Sequence, residues 1–592
     1  MRTTISSFLA LASTQLAWAA PPSAHSKPFE HLKRQANSSS SANLQVDLGY
    51  EVYEGYHNST SDLNSWKGVR YAAPPLGEYR WQAPQPPSQN RSSVISGSEY
   101  GPICPQSPNG GSAAPATYGD EDCLFLNVWA PSNAEGLPVL VWIHGGGYGQ
   151  GSNQQDLSYI IGENGNNFVG VAIQYRLGAF GFLSSDEVYR NGVVNAGILD
   201  QTFALKWVQT YIHLFGGDPT KVTISGESAG GGSVMLQTMA YGGSLGTELF
   251  QNSYYAFAYH AGCFGGNAYG FETKSRTIFN CLVGKDTQTL QNASFATSAS
   301  ANTGIWGFLP VTDGVFIQDL PSRQMTKERV NGQRMLVGNN AQEGAGFVPQ
   351  NITTEGDLLD WLQLTFPTFS NSDIAKVLLY YPSSNASTDP SADEYATNGY
   401  TGATALNQSA VGTGQQQRAN NIYAETTFVC PSYWMAEAFS DPPRASYKYQ
   451  YSVLPALHGY DVSAYFGPAA PQQGNSFARA FMHIVGNFVT VNDPSISPAI
   501  ANGASSGSMN ASTSGNAATN WPQFDIYNPV QLNLNQTGGR EISQETIGDR
   551  NSTIYVSPGL MNDFSLVNAY TWEGGRGMRC DFWKSVGGIV PE

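Results

Sequence analysis

The chain has 592 residues, of which 41% are hydrophobic and 12% aromatic. That excludes disorder as its general state, because such a chain can bury enough apolar surface to offset chain entropy. Only 12% of residues are charged and the formal charge is −16. An acidic balance disfavours polyanionic partners, so neither nucleic acid nor an anionic lipid surface is expected. A prior of about 150 residues per domain suggests about four domains; the spread of the candidate residues below argues instead for one large unit.

Met1-Arg2, an apolar run from Phe8 to Leu16 and Ala17-Trp18-Ala19 have the order of a secretory signal peptide over residues 1–20. Pro21-Pro22 would end a helix there. The dibasic pair Lys33-Arg34 marks a candidate propeptide over 21–34, leaving 35–592 as a single domain. No later stretch reaches the ~18 apolar residues of a membrane span. Gly587 to Glu592 shows neither a hydrophobic tail for a lipid anchor nor a retention signal. A secreted, extracellular product is expected. The six cysteines are an even count, as disulfides in a secreted chain require, although six allow fifteen pairings. No C-x-x-C spacing suggests zinc. Ten N-x-S/T sequons occur, at Asn37, Asn58, Asn90, Asn292, Asn351, Asn385, Asn407, Asn510, Asn535 and Asn551.

Residues 35–66 are polar and strand-like at most. Val139–Ile143, Phe168–Ile173 and Val222–Ile224 are short apolar runs closed by turn residues, the pattern of buried parallel strands. Between the second and third, Phe203, Leu205, Trp207, Val208, Ile212 and Phe215 recur near helical spacing and predict a crossover helix. Strand, helix, strand implies an α/β sheet. Met335–Gly338 and the alternating Tyr447–Leu454 predict further strands. Phe477, Phe481, Ile484, Val485 and Phe488 predict an amphipathic helix, and residues 499–520, rich in Ala, Ser, Gly and Asn, a mobile loop.

The strongest local signal is Gly226-Glu227-Ser228-Ala229-Gly230, directly after a predicted strand. A G-x-S-x-G turn from strand to helix holds its serine strained and exposed, with glycines where a Cβ would clash. His144-Gly145-Gly146-Gly147, at another strand end, supplies backbone N–H groups able to approach a ligand closely. Acyl transfer needs such donors aimed at a developing oxyanion; Gly146, Gly147 and Ala229 are the candidates. In this chain order the base lies well after Ser228. His25 and His31 fall in the leader region, and His57, His144 and His213 precede the serine. His260 leaves little room for an intervening acid, and His483 sits on the amphipathic helix. His458 remains, in a loop after a predicted strand. The acid that orients it is Glu343, after the strand at 335–337, with Asp313 and Asp461 as rivals. Asp313 reads as a turn residue and Asp461 as a local hydrogen-bond partner.

At this point the chain resembles the type-B carboxylesterase family, which includes cholinesterases and secreted fungal esterases and lipases. The matching segments run in order: Lys67–Pro75, Glu121–Val128, His144–Gly147, Asn195–Gln201, Phe215–Pro219, Gly226–Gly230, Glu343-Gly344 and His458-Gly459. The resemblance implies an α/β-hydrolase fold with a large, mostly parallel central sheet flanked by helices, and a catalytic set of Ser228, Glu343 and His458. It also implies disulfides Cys104–Cys123 and Cys263–Cys281, with Cys430–Cys580 as the remaining pair. Neither metal nor cofactor is implied, and the partner is a small-molecule ester. The loop between Cys104 and Cys123 holds only eighteen residues and no Trp. Lipases of the family carry a long flap there, and cholinesterases a choline-stacking Trp. Carboxylesterase activity on monomeric esters is therefore expected; the alternatives are a lipase and a silent adhesion protein on the same fold.

Overall fold

The three apolar runs take adjacent places in one sheet of the computed structural model, which describes residues 44–110, 118–246, 252–255, 278–382, 409, 411–503 and 515–590. The leader, the candidate propeptide, Cys263, the side chain of Cys281 and the sequons at Asn37, Asn385, Asn407 and Asn510 lie outside the described residues.

In chain order the strands are β1 (Gln45–Asp47), β2 (Val52–Glu54), β3 (Tyr56–Asn58), β4 (Leu63–Arg70), β5 (Val94–Ser96), β6 (Phe125–Pro131) and β7 (Leu137–Ile143). They continue with β8 (Val169–Ile173), β9 (Gly217–Gly226), β10 (Asn252–Tyr255), β11 (Arg334–Asn340), β12 (Ala445–Tyr451), β13 (Val530–Glu545) and β14 (Asn551–Asn568). Among the described residues β1, β2 and β5 make a small sheet. The others form an 11-stranded sheet in the order β14-β13-β12-β11-β10-β9-β7-β8-β6-β4-β3. From β8 to β13 neighbouring strands are parallel. Both margins are antiparallel: β13 with β14, and β8 with β6, β6 with β4 and β4 with β3. The sheet is thus mixed, and the mostly parallel arrangement expected from the sequence holds only for its middle. At the margins β3 with β4, and β13 with β14, follow each other directly in the chain and can pair antiparallel, whereas the parallel strands of the middle need crossover connections.

The period of two along a strand explains the two cores. Val139, Val141 and Ile143 of β7 join Val169, Val171, Ile173, Val222 and Ile224 on one face, with Trp207 and Val208 of the helix Ala196–Tyr211. Leu140 and Trp142 point the other way, toward Ile160, Ala172 and Phe466. Each such fully buried apolar side chain contributes roughly 1.5–3 kcal/mol. The alternation in β12 has a different meaning from the usual half-solvated strand, since the whole strand is buried. Tyr447, Tyr449 and Tyr451 pack on Phe477, Phe481 and Phe488 of the helix Asn475–Val491. On the opposite face Lys448 Nζ donates to Asn339 Oδ1 (3.0 Å) and Ser432 Oγ (2.9 Å), and Gln450 Nε2 to Glu573 Oε1 (2.7 Å). Buried polar groups demand such partners.

Among the described residues two disulfides, Cys104–Cys123 and Cys430–Cys580, are formed. The second ties the helix Cys430–Ala438 to the C-terminal helix Trp572–Val586. Part of the region 499–520 is structured: Pro498–Ala501 is a short helix and Ala517–Thr519 a tight turn, with Ala501 and Ala518 buried. Its small residues allow close packing there, while 504–514 lie outside the described residues. Asn58, Asn90, Asn292, Asn351 and Asn551 are exposed, whereas Asn535 is buried within β13. No helix among the described residues is long and apolar enough to cross a membrane.

Candidate active site

β9 ends at Gly226, and the helix Ala229–Gly243 begins three residues later. The turn between them puts Ser228 at φ 57°, ψ −127°, a region that costs a non-glycine residue of order 1–3 kcal/mol. Two glycines make so tight a turn possible. A Cβ on Gly226 would enter the Gly230 backbone, and one on Gly230 would enter the carbonyl of Ile143 at the end of β7. The helix that follows aims its first N–H groups and its positive dipole end at the serine.

The loop after β7 lies against this turn: a Cβ on Gly145 would stand 2.8 Å from Ser228 Cβ. Gly146 and Gly147 have φ of 101° and 61°, values that favour glycine. Gly149 N and Gln150 N donate to the Gly146 carbonyl at 3.1 and 2.8 Å and close the turn. Trp306 packs so tightly on Gly147 that a Cβ there would enter the indole. His144 is part of the scaffold. Its ring stacks on Tyr175 at 4.5 Å, and the Tyr175 hydroxyl donates to the His144 carbonyl at 2.8 Å. Burial pulls its imidazole down to about 4, so the ring is neutral at pH 7.

Glu343 follows β11 by three residues and is buried. Its Oε1 accepts from the backbone N–H and the side-chain amide of Asn340, at 2.5 and 3.2 Å. Its Oε2 is 2.6 Å from His458 Nδ1. A carboxylate only accepts, so Nδ1 carries the proton and Nε2 is left for proton exchange. Nε2 lies 3.2 Å from Glu227 Oε1, the carboxylate of the residue preceding Ser228. The rival acids take other roles. Asp313 caps a turn by accepting from the N–H groups of Val315, Phe316 and Ile317. Asp461 accepts from Asn340 Nδ2 (3.0 Å) and the Tyr449 hydroxyl (3.1 Å). His483 pairs with Glu163 on the surface of its helix, at 3.2 Å.

Two carboxylates therefore bracket one imidazole, and a third, Asp461, is buried nearby on the same loop. Burial pulls the His458 pKa down, but Glu227 and Glu343 outweigh it and the group is raised to about 9. Burial raises Glu227 to about 7, against the pull of His458. Burial, with the charge of Glu343, raises Asp461 to about 6. Aromatic rings wall the site: Phe428 and Phe347 sit 4.3 and 5.0 Å from the His458 ring, and Trp306 lies 6.0 Å from Phe347. Glu227, Asn340, Trp306, Phe347 and Phe428 are site residues beyond those expected from the sequence. Glu227 alone had a local signal, as the variable residue of the G-x-S-x-G turn.

A strand-to-helix elbow on a twisted sheet with helices on both faces is the architecture of α/β-hydrolases. The model of the carboxylesterase family matches residues 49–547, and the chain belongs to that family; it is a carboxylic-ester hydrolase. The chain is 30% identical over 535 residues to the carboxylesterase patB of Aspergillus clavatus, covering 78% of this chain and 90% of that protein. It is 30% identical over 468 residues to a secreted lipase of Arthroderma benhamiae, covering 72% of this chain and 79% of that protein. The crystal structure of Aspergillus niger EstA matches it with a TM-score of 0.68 at 25% identity, over 94% of this chain and 100% of that one.

Proposed function

We propose that this protein is a secreted serine esterase in which Ser228, His458 and Glu343 act as a triad through an acyl-enzyme. The observation that carries the reading is the 2.6 Å contact from His458 Nδ1 to Glu343 Oε2, on loops beside the strained turn that presents Ser228. His458 Nε2 takes the Ser228 proton as Oγ attacks the ester carbonyl. The N–H groups of Gly146, Gly147 and Ala229 receive the oxyanion. His458 then gives its proton to the leaving alcohol, and a water attacks the acyl-enzyme by the same route in reverse. The imidazolium formed in both steps sits between Glu343 and Glu227. Those carboxylates therefore favour the transition state over the neutral form of the ring that takes the proton.

Residues 35–592 would form one catalytic domain, after removal of residues 1–20 and cleavage behind Arg34. Two disulfides, exposed sequons and a relative named as secreted support an extracellular location, since disulfides persist in oxidising compartments. That relative is also named a lipase, which favours activity on long-chain acylglycerols as the second reading. Hydrolysis that rises only when a triglyceride emulsifies would select the lipase; steady hydrolysis of monomeric esters selects the esterase. Ser228→Ala is expected to lower turnover of p-nitrophenyl acetate by roughly 10⁴–10⁶-fold. Full activity in that variant would refute the assignment.

A further inference from the structure

Asn340 has a place in the site that the triad chemistry does not by itself require. It is the last residue of β11, and it stands between two buried carboxylates. Its side-chain nitrogen lies 3.2 Å from Glu343 Oε1 and 3.0 Å from Asp461 Oδ1. An amide nitrogen carries two hydrogens, one for each acid. Its backbone N–H adds a third donation, to Glu343 Oε1 at 2.5 Å. Asp461 is itself fixed, because the Tyr449 hydroxyl donates to its other oxygen at 3.1 Å. Tyr449 can lie across the neighbouring strand because residue 338 is glycine; a Cβ there would enter the phenol ring.

We propose that Asn340 is a positioning residue for the triad acid: its one side-chain amide, anchored by Asp461, aims the Glu343 carboxylate at His458. This rests on the triad reading above. An amide suits the place because it is neutral and offers two donors. Without it two buried carboxylates would face each other with no donor between them, and an aspartate there would add a further anion. The anchor matters as much as the clamp, since an amide tied only to Glu343 could swing with it. The charged and titratable groups that face the pair come from several elements. They are His458 and Glu227 from the two catalytic loops, and Lys448, Tyr449 and Tyr451 from β12.

The test uses the purified full chain and p-nitrophenyl acetate, comparing wild type, Asn340→Ala, Asp461→Asn and Ser228→Ala. Misaiming a catalytic group can cost on the order of 100-fold, so Asn340→Ala should lower kcat by roughly 10- to 100-fold with KM changed less than about twofold. Loss of its donors leaves the Glu343 charge less compensated, which favours the protonated form of His458. The acid limb of kcat/KM therefore moves to higher pH. Asp461→Asn keeps the shape and removes a negative charge near the imidazole, so its acid limb moves to lower pH. Stoichiometric labelling by an active-site phosphonate verifies an intact serine turn in both. A kcat within about twofold of wild type, or a lower kcat with an unmoved acid limb, overturns the proposal, the latter meaning a merely structural role. Should Asn340→Ala fail to fold, an unmoved limb in Asp461→Asn overturns it alone. Full activity in Ser228→Ala would instead sink the triad reading underneath.

Discussion

Glu227→Gln tests the electrostatics of the site most directly. The substitution keeps the size of the side chain and deletes one charge 3.2 Å from His458 Nε2. Two unit charges at that distance attract by about 1 kcal/mol in bulk water and about 5 kcal/mol at an effective dielectric of about 20. At 1.36 kcal/mol per pH unit those bounds correspond to roughly 1 and 4 units. The two side chains are 13% and 17% exposed, so the shift should lie between the bounds. The sign follows from which form works: the base must be neutral, and a neighbouring carboxylate favours the protonated ring. Wild-type kcat/KM for a neutral ester should therefore rise with pH toward the His458 value of about 9. In Glu227→Gln the limb should move down by at least about one unit, and the plateau kcat should fall because the imidazolium of the transition state loses a partner. The assay is kcat/KM for p-nitrophenyl acetate against pH, with thermal melts to confirm folding. An acid limb that stays in place would refute the argument that Glu227 sets the basicity of His458.

Two further substitutions probe the scaffold. Cys430→Ser with Cys580→Ser opens a bridge spanning 150 residues of sequence, and should cost about 2–5 kcal/mol of stability. Guanidinium unfolding measures it, with activity per folded molecule kept because neither sulfur reaches the site; an unchanged midpoint would contradict the estimate. Gly147→Ala places a methyl against Trp306 at a φ of 61°. Its turnover should fall by roughly 10²–10³-fold, the typical cost of losing an oxyanion donor. Adding Trp306→Ala should recover part of that loss, and unaltered kcat in the single variant would show that the Gly147 N–H is not a donor.

Much of the middle of the sheet was legible because β7, β8 and the end of β9 from Val222 are buried on both faces, which selects short, largely apolar runs. The helix at Asn475–Val491 was legible for the complementary reason: one face is buried and one is not. The paired β13 and β14 went unread. Polar residues and glycines break up their pattern, so the short alternation Val530, Leu532, Leu534 at the start of β13 is the only apolar period in that strand, and the long pairing with β14 is made by backbone hydrogen bonds. The buried face of β12 was misleading in the same way, since Lys448 and Gln450 look solvated until their partners on other elements are known.

By itself the sequence determined the chemistry-bearing turns. A serine that must sit in a left-handed turn leaves glycines around it, and a loop that must approach a backbone leaves three in a row. Such constraints are local, so they are written at fixed spacing. Only the tertiary structure decided which groups surround the histidine. Glu227 and Glu343 reach His458 from two other loops, and Asn340 ties Glu343 to Asp461 on the histidine's own loop. Their mutual distances depend on how β9, β11 and β12 are ordered and registered in the sheet, a long-range property with no signature at any one position.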